Sequence, residues 1–198
     1  RRRHTRFKCD WSSDVCSSDL MLAAIAHALE NPAGHAFVAE YAWVWPICEI
    51  LHFLGMAMLF GSIGLLDLRM LGIGKRLPVG PLEQLVPIGV FGFILNLITG
   101  DFFVIGAPNG PADYVENLAF LMKCGAMALA GVNVGAFYLT GIAKAAHEVG
   151  PGEDAPVAAK VVAVTSLLLW ISVIYFGRMI MYSDAFYTPQ YYGLGLLE

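Results

Sequence analysis

Long apolar stretches alternate with short charged segments along most of this chain. Of its 198 residues, 58% are hydrophobic and 14% are charged, whereas soluble domains have about 45–50% and about 25%. A soluble fold of this size cannot bury so large an apolar excess, because its surface must stay wetted. The sequence therefore predicts an integral membrane protein.

The fold class that we predict is all-α: an integral-membrane four-helix bundle with a short N-terminal interfacial helix. That short helix covers residues 21–30 and is expected to end at Asn31-Pro32 and Gly34. Each of the four spans is long enough to cross a hydrocarbon layer of about 30 Å. The spans are predicted at residues 42–66, 84–106, 116–142 and 158–182.

Glycines are frequent in these spans, and small residues let transmembrane helices approach one another closely. The glycines that we expect at such contacts are Gly55, Gly61, Gly64, Gly125, Gly131 and Gly135. After the last span, the aromatic segment at 185–197 is predicted to lie at the interface or to dock on a partner.

The first twenty residues, RRRHTRFKCDWSSDVCSSDL, differ from the rest of the chain. A signal peptide needs an apolar core, which WSSDVCSSDL lacks. A structural zinc site needs a fourth ligand beside His4, Cys9 and Cys16. The stretch instead resembles a frame translation of a common sequencing-library adapter. We therefore expect residues 1–20 to be a non-native leader without function, and residues 21–198 to form the transmembrane domain.

The loop charges predict the orientation of the bundle. The second connection has no Lys or Arg, so the positive-inside rule puts both termini outside the cytoplasm of a bacterial inner membrane. Without a basic patch no nucleic acid is expected as a partner. The expected partners are the lipid bilayer and a membrane protein or a second copy of the chain. The basic residues of the first and third connections are Arg69, Lys75, Arg76, Lys144 and Lys160.

Five ionisable residues lie in the outer half of the predicted spans, where burial of a charge is unfavourable and often functional. Two hypotheses fit them. They form ion pairs that only hold the helices in register, or they line a site for a small ligand, a cofactor or a transported proton. Glu49 and His52 share a helix face at i and i+3. The five residues are Glu49, His52, Asp101, Lys123 and Arg178.

Haem b is one cofactor that His52 is suited to hold, with Lys123 or Arg178 near the propionates. The haem hypothesis lacks a second axial histidine, because no other histidine lies within a predicted span. A methionine, an open position or a histidine folding inward would have to complete the iron. The other histidines of residues 21–198 are His27, His35 and His147.

The remaining polar residues of the spans have simpler interpretations. Asn96 and Asn133 are expected to make interhelical hydrogen bonds. Cys48 and Cys124 are expected to be packing residues. Ser166 has no basic partner nearby in the sequence, so hydrolase chemistry has no support.

Six motifs follow one another along the spans: E-I-L-H-F-L-G-M-A-M-L-F-G-S (Glu49–Ser62), D-L-R-M-L-G (Asp67–Gly72), T-G (Thr99, Gly100), F-x-x-K (Phe120, Lys123), S-L-L-L-W (Ser166–Trp170) and G-R (Gly177, Arg178). In this order and spacing, they resemble a family of bacterial four-helix inner-membrane proteins of unknown function. The resemblance covers nearly all of residues 41–182 and implies a four-helix membrane protein without an established activity. Some members have a histidine late in span three, where this chain reads N-V-G-A-F-Y-L, and that departure weakens a haem site further.

Asp67, Arg69 and Trp170, at motif positions of the resemblance, are predicted to be structural. For the whole chain we predict a redox-associated or accessory membrane subunit that binds a small ligand or cofactor and is not an enzyme. The alternative is a structural or proton-linked transport protein whose intramembrane charges form an ion-pair network.

Overall fold

The computed structural model describes residues 13–182, with side chains from residue 20 onward. This part of the chain is helical and contains no strand. Four of its helices are long and apolar enough to cross a membrane. The predicted all-α four-helix transmembrane fold is therefore confirmed, whereas the aromatic segment at 185–197 lies outside the described residues.

The four long helices match the predicted spans closely. The largest difference is at the end of the first span, which was predicted at residue 66 and lies at Met70. The helices are α1 (Ser13–Ala28), α2 (Pro32–Glu40), α3 (Val44–Met70), α4 (Val79–Glu83), α5 (Val86–Ile105), α6 (Ala112–Val115), α7 (Leu118–Leu139), α8 (Ile142–His147) and α9 (Val157–Met179), followed by a 3-10 turn, Ile180–Tyr182.

The segment before the first span differs from its prediction. Helix α1 ends near the predicted position, but it begins at Ser13 instead of residue 21. Asn31 and Pro32 then begin a second helix. Asn31 caps α2, because its Oδ1 accepts a hydrogen bond from the backbone N–H of Gly34 at 2.9 Å. Pro32 occupies the first turn of α2, where its missing N–H has no consequence. The predicted end of the first helix is therefore confirmed, whereas α2 was not predicted.

The long helices run alternately up and down, so the bundle has two distinct ends. The terminus end holds the start of α3 and α7 and the finish of α5 and α9. The loop end holds their opposite ends together with α4 and α8. Helix α3 packs on α5, α7 packs on α9, and α3 also packs on α9. Helices α5 and α7, by contrast, make few contacts with each other.

Glycine produces the close contact between α3 and α5. A Cβ added at Gly92 would lie 2.6 Å from the carbonyl oxygen of Gly55, and one added at Gly55 would lie 2.8 Å from that of Gly92. Backbones this close exclude any side chain at either position. The prediction is thus confirmed for Gly55.

The other predicted glycines do not make such contacts. A Cβ at Gly64 would make only ordinary contact, 3.9 Å from the nearest atom. Nothing lies within 4 Å of a Cβ built at the remaining four, so the prediction of close packing there was wrong. These four glycines are Gly61, Gly125, Gly131 and Gly135. They face lipid or internal space, because the contact of each helix covers only part of its circumference.

Candidate functional site

His52 is a half-buried histidine of α3, and its ring lies against α5. Its Nδ1 is 2.8 Å from Oγ1 of Thr99, and its ring packs edge-on against Phe103 with the centroids 5.4 Å apart. The Thr99 hydroxyl also donates to the carbonyl oxygen of Leu95 at 2.8 Å. With its one hydrogen used there, that hydroxyl accepts a hydrogen bond from Nδ1 of His52. Nε2 of His52 is then left as a free acceptor.

Lys123 approaches the same region from α7. Its half-buried side chain lies beside α9, where a Cβ built at Gly177 would be 3.7 Å from Cδ, Cε and Nζ of Lys123. Lys123 is also near enough to His52 for a Coulombic interaction. Among residues 20–182, its ammonium has no ion-pair partner. The structure therefore brings His52 and Lys123 towards each other.

The other three predicted site residues are exposed. Oε1 of Glu49 accepts a hydrogen bond from Nε1 of Trp45 at 3.2 Å. Arg178 donates to the Tyr182 hydroxyl at 3.1 Å and lies over its ring. Asp101 and Arg178 lie near the ends of α5 and α9, each within about 6 Å of the last residue along the helix axis. Water and lipid headgroups can solvate their charges there. Hence the predicted ion pairs among the charged site residues are absent from residues 20–182.

The predicted haem site depends on a second axial ligand near His52. His147 cannot supply it, because it lies at the loop end with its Nδ1 2.6 Å from Oε2 of Glu83. Within the described residues, no group of three His, Cys, Asp or Glu side chains is placed to hold a metal ion. Haem b bound through Nε2 of His52 stays a prediction.

The two asparagines behave differently from each other. Nδ2 of Asn133 donates to the carbonyl oxygen of Val162 on α9 at 3.1 Å, which confirms the predicted interhelical bond. Nδ2 of Asn96 instead donates to Gly92 of its own helix at 3.0 Å, so that prediction was wrong. The side chain of Asn96 is pressed against Gly55, and its amide group turns back along α5.

A cavity of about 230 Å³ lies inside the loop half of the bundle. All four long helices line it, mostly with apolar side chains. Val90 of α5 and Val134 of α7 belong to this lining and are nevertheless 51% and 39% exposed. The cavity therefore opens sideways between α5 and α7, the two helices that barely touch. In a bilayer this opening faces lipid.

Two polar groups of the cavity wall lack a hydrogen-bond partner. Asp67 is 3% exposed and its Oδ2 has no partner; Trp170 is 8% exposed and its Nε1 has none. The hydroxyl of Ser166 lies beside the Asp67 carboxyl, one turn of α9 before Trp170. A buried polar group without a partner is unfavourable by about 1–3 kcal/mol. Both atoms are covered by their neighbours, so each is an unpartnered polar group packed behind the cavity surface.

Arg69 closes the loop end of the bundle. Its side chain is 1% exposed and donates from Nε to the carbonyl oxygen of Leu77 in the first connection. Nη2 donates to the carbonyl oxygen of Gly150 at 3.0 Å, and both terminal nitrogens lie 3.4 Å from that of Glu153. We call Arg69 with residues 72–78 and 150–154 the loop clasp. Its guanidinium binds two connections to the end of α3, so the predicted structural role of Arg69 has a physical basis.

Charged side chains hold the loop clasp together at its surface. Nζ of Lys75 is 2.9 Å from Asp154, and Nζ of Lys160 is 3.2 Å from the same carboxyl group. The hydrogen bonds from these two lysines hold the pKa of Asp154 below its ordinary value of 3.8. The backbone N–H of Gly152 donates to the carbonyl oxygen of Lys75 at 2.7 Å. The cavity is therefore covered on the loop side and open on the lipid side.

Sequence reasoning missed this cavity. Asp67 was assigned to a loop because the first span was predicted to end at residue 66, whereas α3 continues to Met70. Ser166 was set aside because no basic residue lies near it in the sequence. The available signal was the acidic side chain of Asp67 within the last turns of an apolar helix, a place where carboxylates are rare.

Comparisons of the chain with protein-family models, with curated proteins and with solved structures found no match. The family resemblance of the motifs therefore stays a prediction, and the candidate site is defined by the geometry of this chain alone.

Proposed function

We propose that this chain is a multi-pass protein of a bacterial inner membrane, with both termini outside the cytoplasm, that binds a small lipid-soluble molecule in the cavity between α5 and α7. The observation that carries the proposal is the cavity itself, about 230 Å³ in volume. Well-packed interiors rarely contain voids larger than a water molecule. A cavity of this size is therefore a candidate binding site.

The side on which the cavity opens supports a ligand that comes from the bilayer. The loop clasp covers the loop side, while exposed Val90 and Val134 flank the opening between α5 and α7. An apolar molecule dissolved in the bilayer would enter there without crossing water. Binding of such a molecule is compatible with a redox-associated or accessory subunit, and it requires no catalytic group.

The site proposed from the structure differs from the one predicted from the sequence. His52 and Lys123 lie in the terminus half and do not line the cavity. The cavity lining does include the predicted structural residues Asp67, Asn133 and Trp170. We therefore assign ligand binding to the loop half and leave His52 and Lys123 as a second polar region.

Photolabelling in lipid vesicles tests the proposal. A phenyl trifluoromethyl diazirine, dissolved in the bilayer, should label Met127 in the cavity wall saturably, and unlabelled naphthalene should displace it. Labelling of the exposed Phe53 should instead rise linearly with the probe, since that side chain is 65% exposed. Modified residues are identified by peptide mass spectrometry.

Two glycine variants give a matched control. Gly131 lines the cavity, and nothing lies within 4 Å of a Cβ built there, so we expect the side chain of Gly131→Leu to take up cavity space. Gly125→Leu makes the same change on α7 at an equally open position outside the lining. Saturable labelling should disappear in the first variant and persist in the second. Linear labelling of Met127 in the unmodified protein would contradict the proposal.

A further inference from the structure

The side chains of the cavity wall indicate which class of molecule binds there, an inference that rests on the proposed function. A ligand that enters between α5 and α7 leaves the bilayer and not water, and lipid tails are as apolar as leucine side chains. The hydrophobic effect therefore contributes little to its binding. A preference for the cavity over the surrounding lipid must come from contacts that acyl chains do not offer.

Aromatic side chains are the part of the wall that lipid tails lack. Among the cavity-lining residues, Phe93 of α5 and Trp170 of α9 lie nearest the terminus end of their helices, and Phe137 and Tyr138 of α7 lie nearest the loop end of theirs. The ring centroids of Phe93 and Trp170 are 6.2 Å apart with the ring planes at 72°, an edge-to-face arrangement. Aromatic rings from three helices therefore line both ends of the cavity.

Two methionines complete this part of the wall. Met127 of α7 lines the cavity towards the terminus end, and Met70 of α3 lines it towards the loop end. Thioether sulfur makes favourable contacts with aromatic rings, and aromatic rings attract one another in edge-to-face and offset stacked arrangements. An aromatic ligand gains both kinds of contact on leaving the bilayer, whereas an aliphatic ligand exchanges one set of apolar neighbours for another.

The volume of the cavity limits the size of the ring system. An apolar cavity of about 150 Å³ holds benzene, so one of about 230 Å³ suits about two fused rings. Gly131 leaves room for a planar ring against the wall, because nothing lies within 4 Å of a Cβ built there. We propose that the cavity binds a lipid-soluble aromatic molecule of about two fused rings, in contact with the rings of Phe93 and Trp170, in preference to aliphatic molecules with the same carbon skeleton.

Competition against the diazirine label tests the aromatic preference separately from binding itself. The competitors are naphthalene and decalin, which share one carbon skeleton and differ in that decalin is fully saturated. Each is compared at its measured concentration in the bilayer, so that partitioning into lipid does not contribute. We expect naphthalene to displace the label from Met127 at about two- to tenfold lower concentration than decalin, the effect of one aromatic pair.

Substitutions then identify the rings involved. Phe93→Leu and Trp170→Leu should each weaken competition by naphthalene and remove most of its advantage over decalin. Phe91→Leu and Trp43→Leu are matched controls, because both side chains are 57% exposed and lie outside the cavity lining. If Trp170→Leu fails to fold, the smaller change in Phe93→Leu and the comparison of the two competitors in the unmodified protein still decide.

The possible results separate the two proposals. Equal or stronger competition by decalin in the unmodified protein would overturn the aromatic preference and leave ligand binding in the cavity intact. Variants in which decalin improves while naphthalene is unchanged would show that space and not aromatic contact decides, which would also overturn it. Failure of both compounds to displace the label would overturn the proposed function together with this inference.

Discussion

Arg69 has an unusual environment for a charged side chain, because it is 1% exposed and binds backbone oxygens instead of a carboxylate. Its planar guanidinium donates from three nitrogens in fixed directions, which a lysine ammonium cannot reproduce. Arg69→Met would leave the carbonyl groups of Leu77 and Gly150 without this donor. We expect the variant to lower the free energy of unfolding by about 3 kcal/mol, since each lost charged hydrogen bond amounts to about 1.5–3 kcal/mol.

Denaturant unfolding in detergent micelles measures this change. Arg76→Met provides the control, because Arg76 lies in the same connection and is exposed. We expect its effect to stay within about 0.5 kcal/mol, as for most surface substitutions. Equal stability of the two variants would show that the guanidinium of Arg69 does not hold the loops. Arg69→Lys should recover only part of the loss.

At the scale of single residues, the sequence predicted the role of a side chain better than its position in the bundle. Arg69 was predicted to be structural, and its contacts fit that role. Pairing of the charges of Glu49 and Asp101 was one of two hypotheses, yet both side chains are exposed. Pairing depends on how far each helix is rotated about its axis, and an apolar helix with little amphipathic contrast does not reveal that rotation. For the same reason the cavity beside Asp67 was not foreseen.

At the scale of elements, the contact between α3 and α5 depends on two glycines that face each other. A Cβ at Gly92 would lie 2.6 Å from the carbonyl oxygen of Gly55 and 2.9 Å from the backbone nitrogen of Leu59. Backbone atoms cannot swing aside, so Gly92→Ala must push the helices apart. We expect a loss of about 1–3 kcal/mol in the free energy of unfolding, the usual range for overpacking.

Gly135→Ala is the matched control for this prediction, because a Cβ at Gly135 meets nothing within 4 Å. Alanine also has a higher helix propensity than glycine, by about 1 kcal/mol. The control should therefore be neutral or slightly stabilising in the same unfolding experiment. A neutral Gly92→Ala would mean that the helices are not in backbone contact.

The loop clasp joins elements that are far apart in the sequence, and its surface charges make it sensitive to acid. Hydrogen bonds from Lys75 and Lys160 lower the pKa of Asp154 below 3.8. A lowered carboxyl pKa stabilises the folded form above the ordinary pKa, and this contribution is lost as the pH falls through the folded-state pKa. We therefore expect the clasp to loosen only below about pH 4.

Hydrogen exchange of the Gly152 amide reports on this contact, because that N–H donates to Lys75 at 2.7 Å. Protection of the amide should decrease below about pH 4 beyond the intrinsic pH dependence of exchange. Asp154→Asn should show the reduced protection at neutral pH as well. Glu148→Gln, at an exposed position of the same connection, should behave like the unmodified protein. Unchanged protection in Asp154→Asn would rule out the lysine contacts as the cause.

For the whole molecule, the helix bounds were predictable because a span must be about 20 apolar residues long whatever its neighbours are. The arrangement of the helices was not predictable in the same way. Antiparallel neighbours follow from short connections, but the gap between α5 and α7 depends on which pairs pack most closely. Gly55 and Gly92 bring α3 and α5 together, whereas α5 makes few contacts with α7.

The whole molecule also has an orientation, which the distribution of charge predicts. The loop end carries Lys75, Arg76, Lys144 and Lys160, and the connection between α5 and α7 at the opposite end has no Lys or Arg. Basic loops remain in the cytoplasm during insertion. Pro108→Cys, in a background without other cysteines, should therefore react with a membrane-impermeant maleimide in intact bacterial cells. Arg76→Cys should react only after permeabilisation, and the reverse pattern would invert the bundle and put the loop clasp outside.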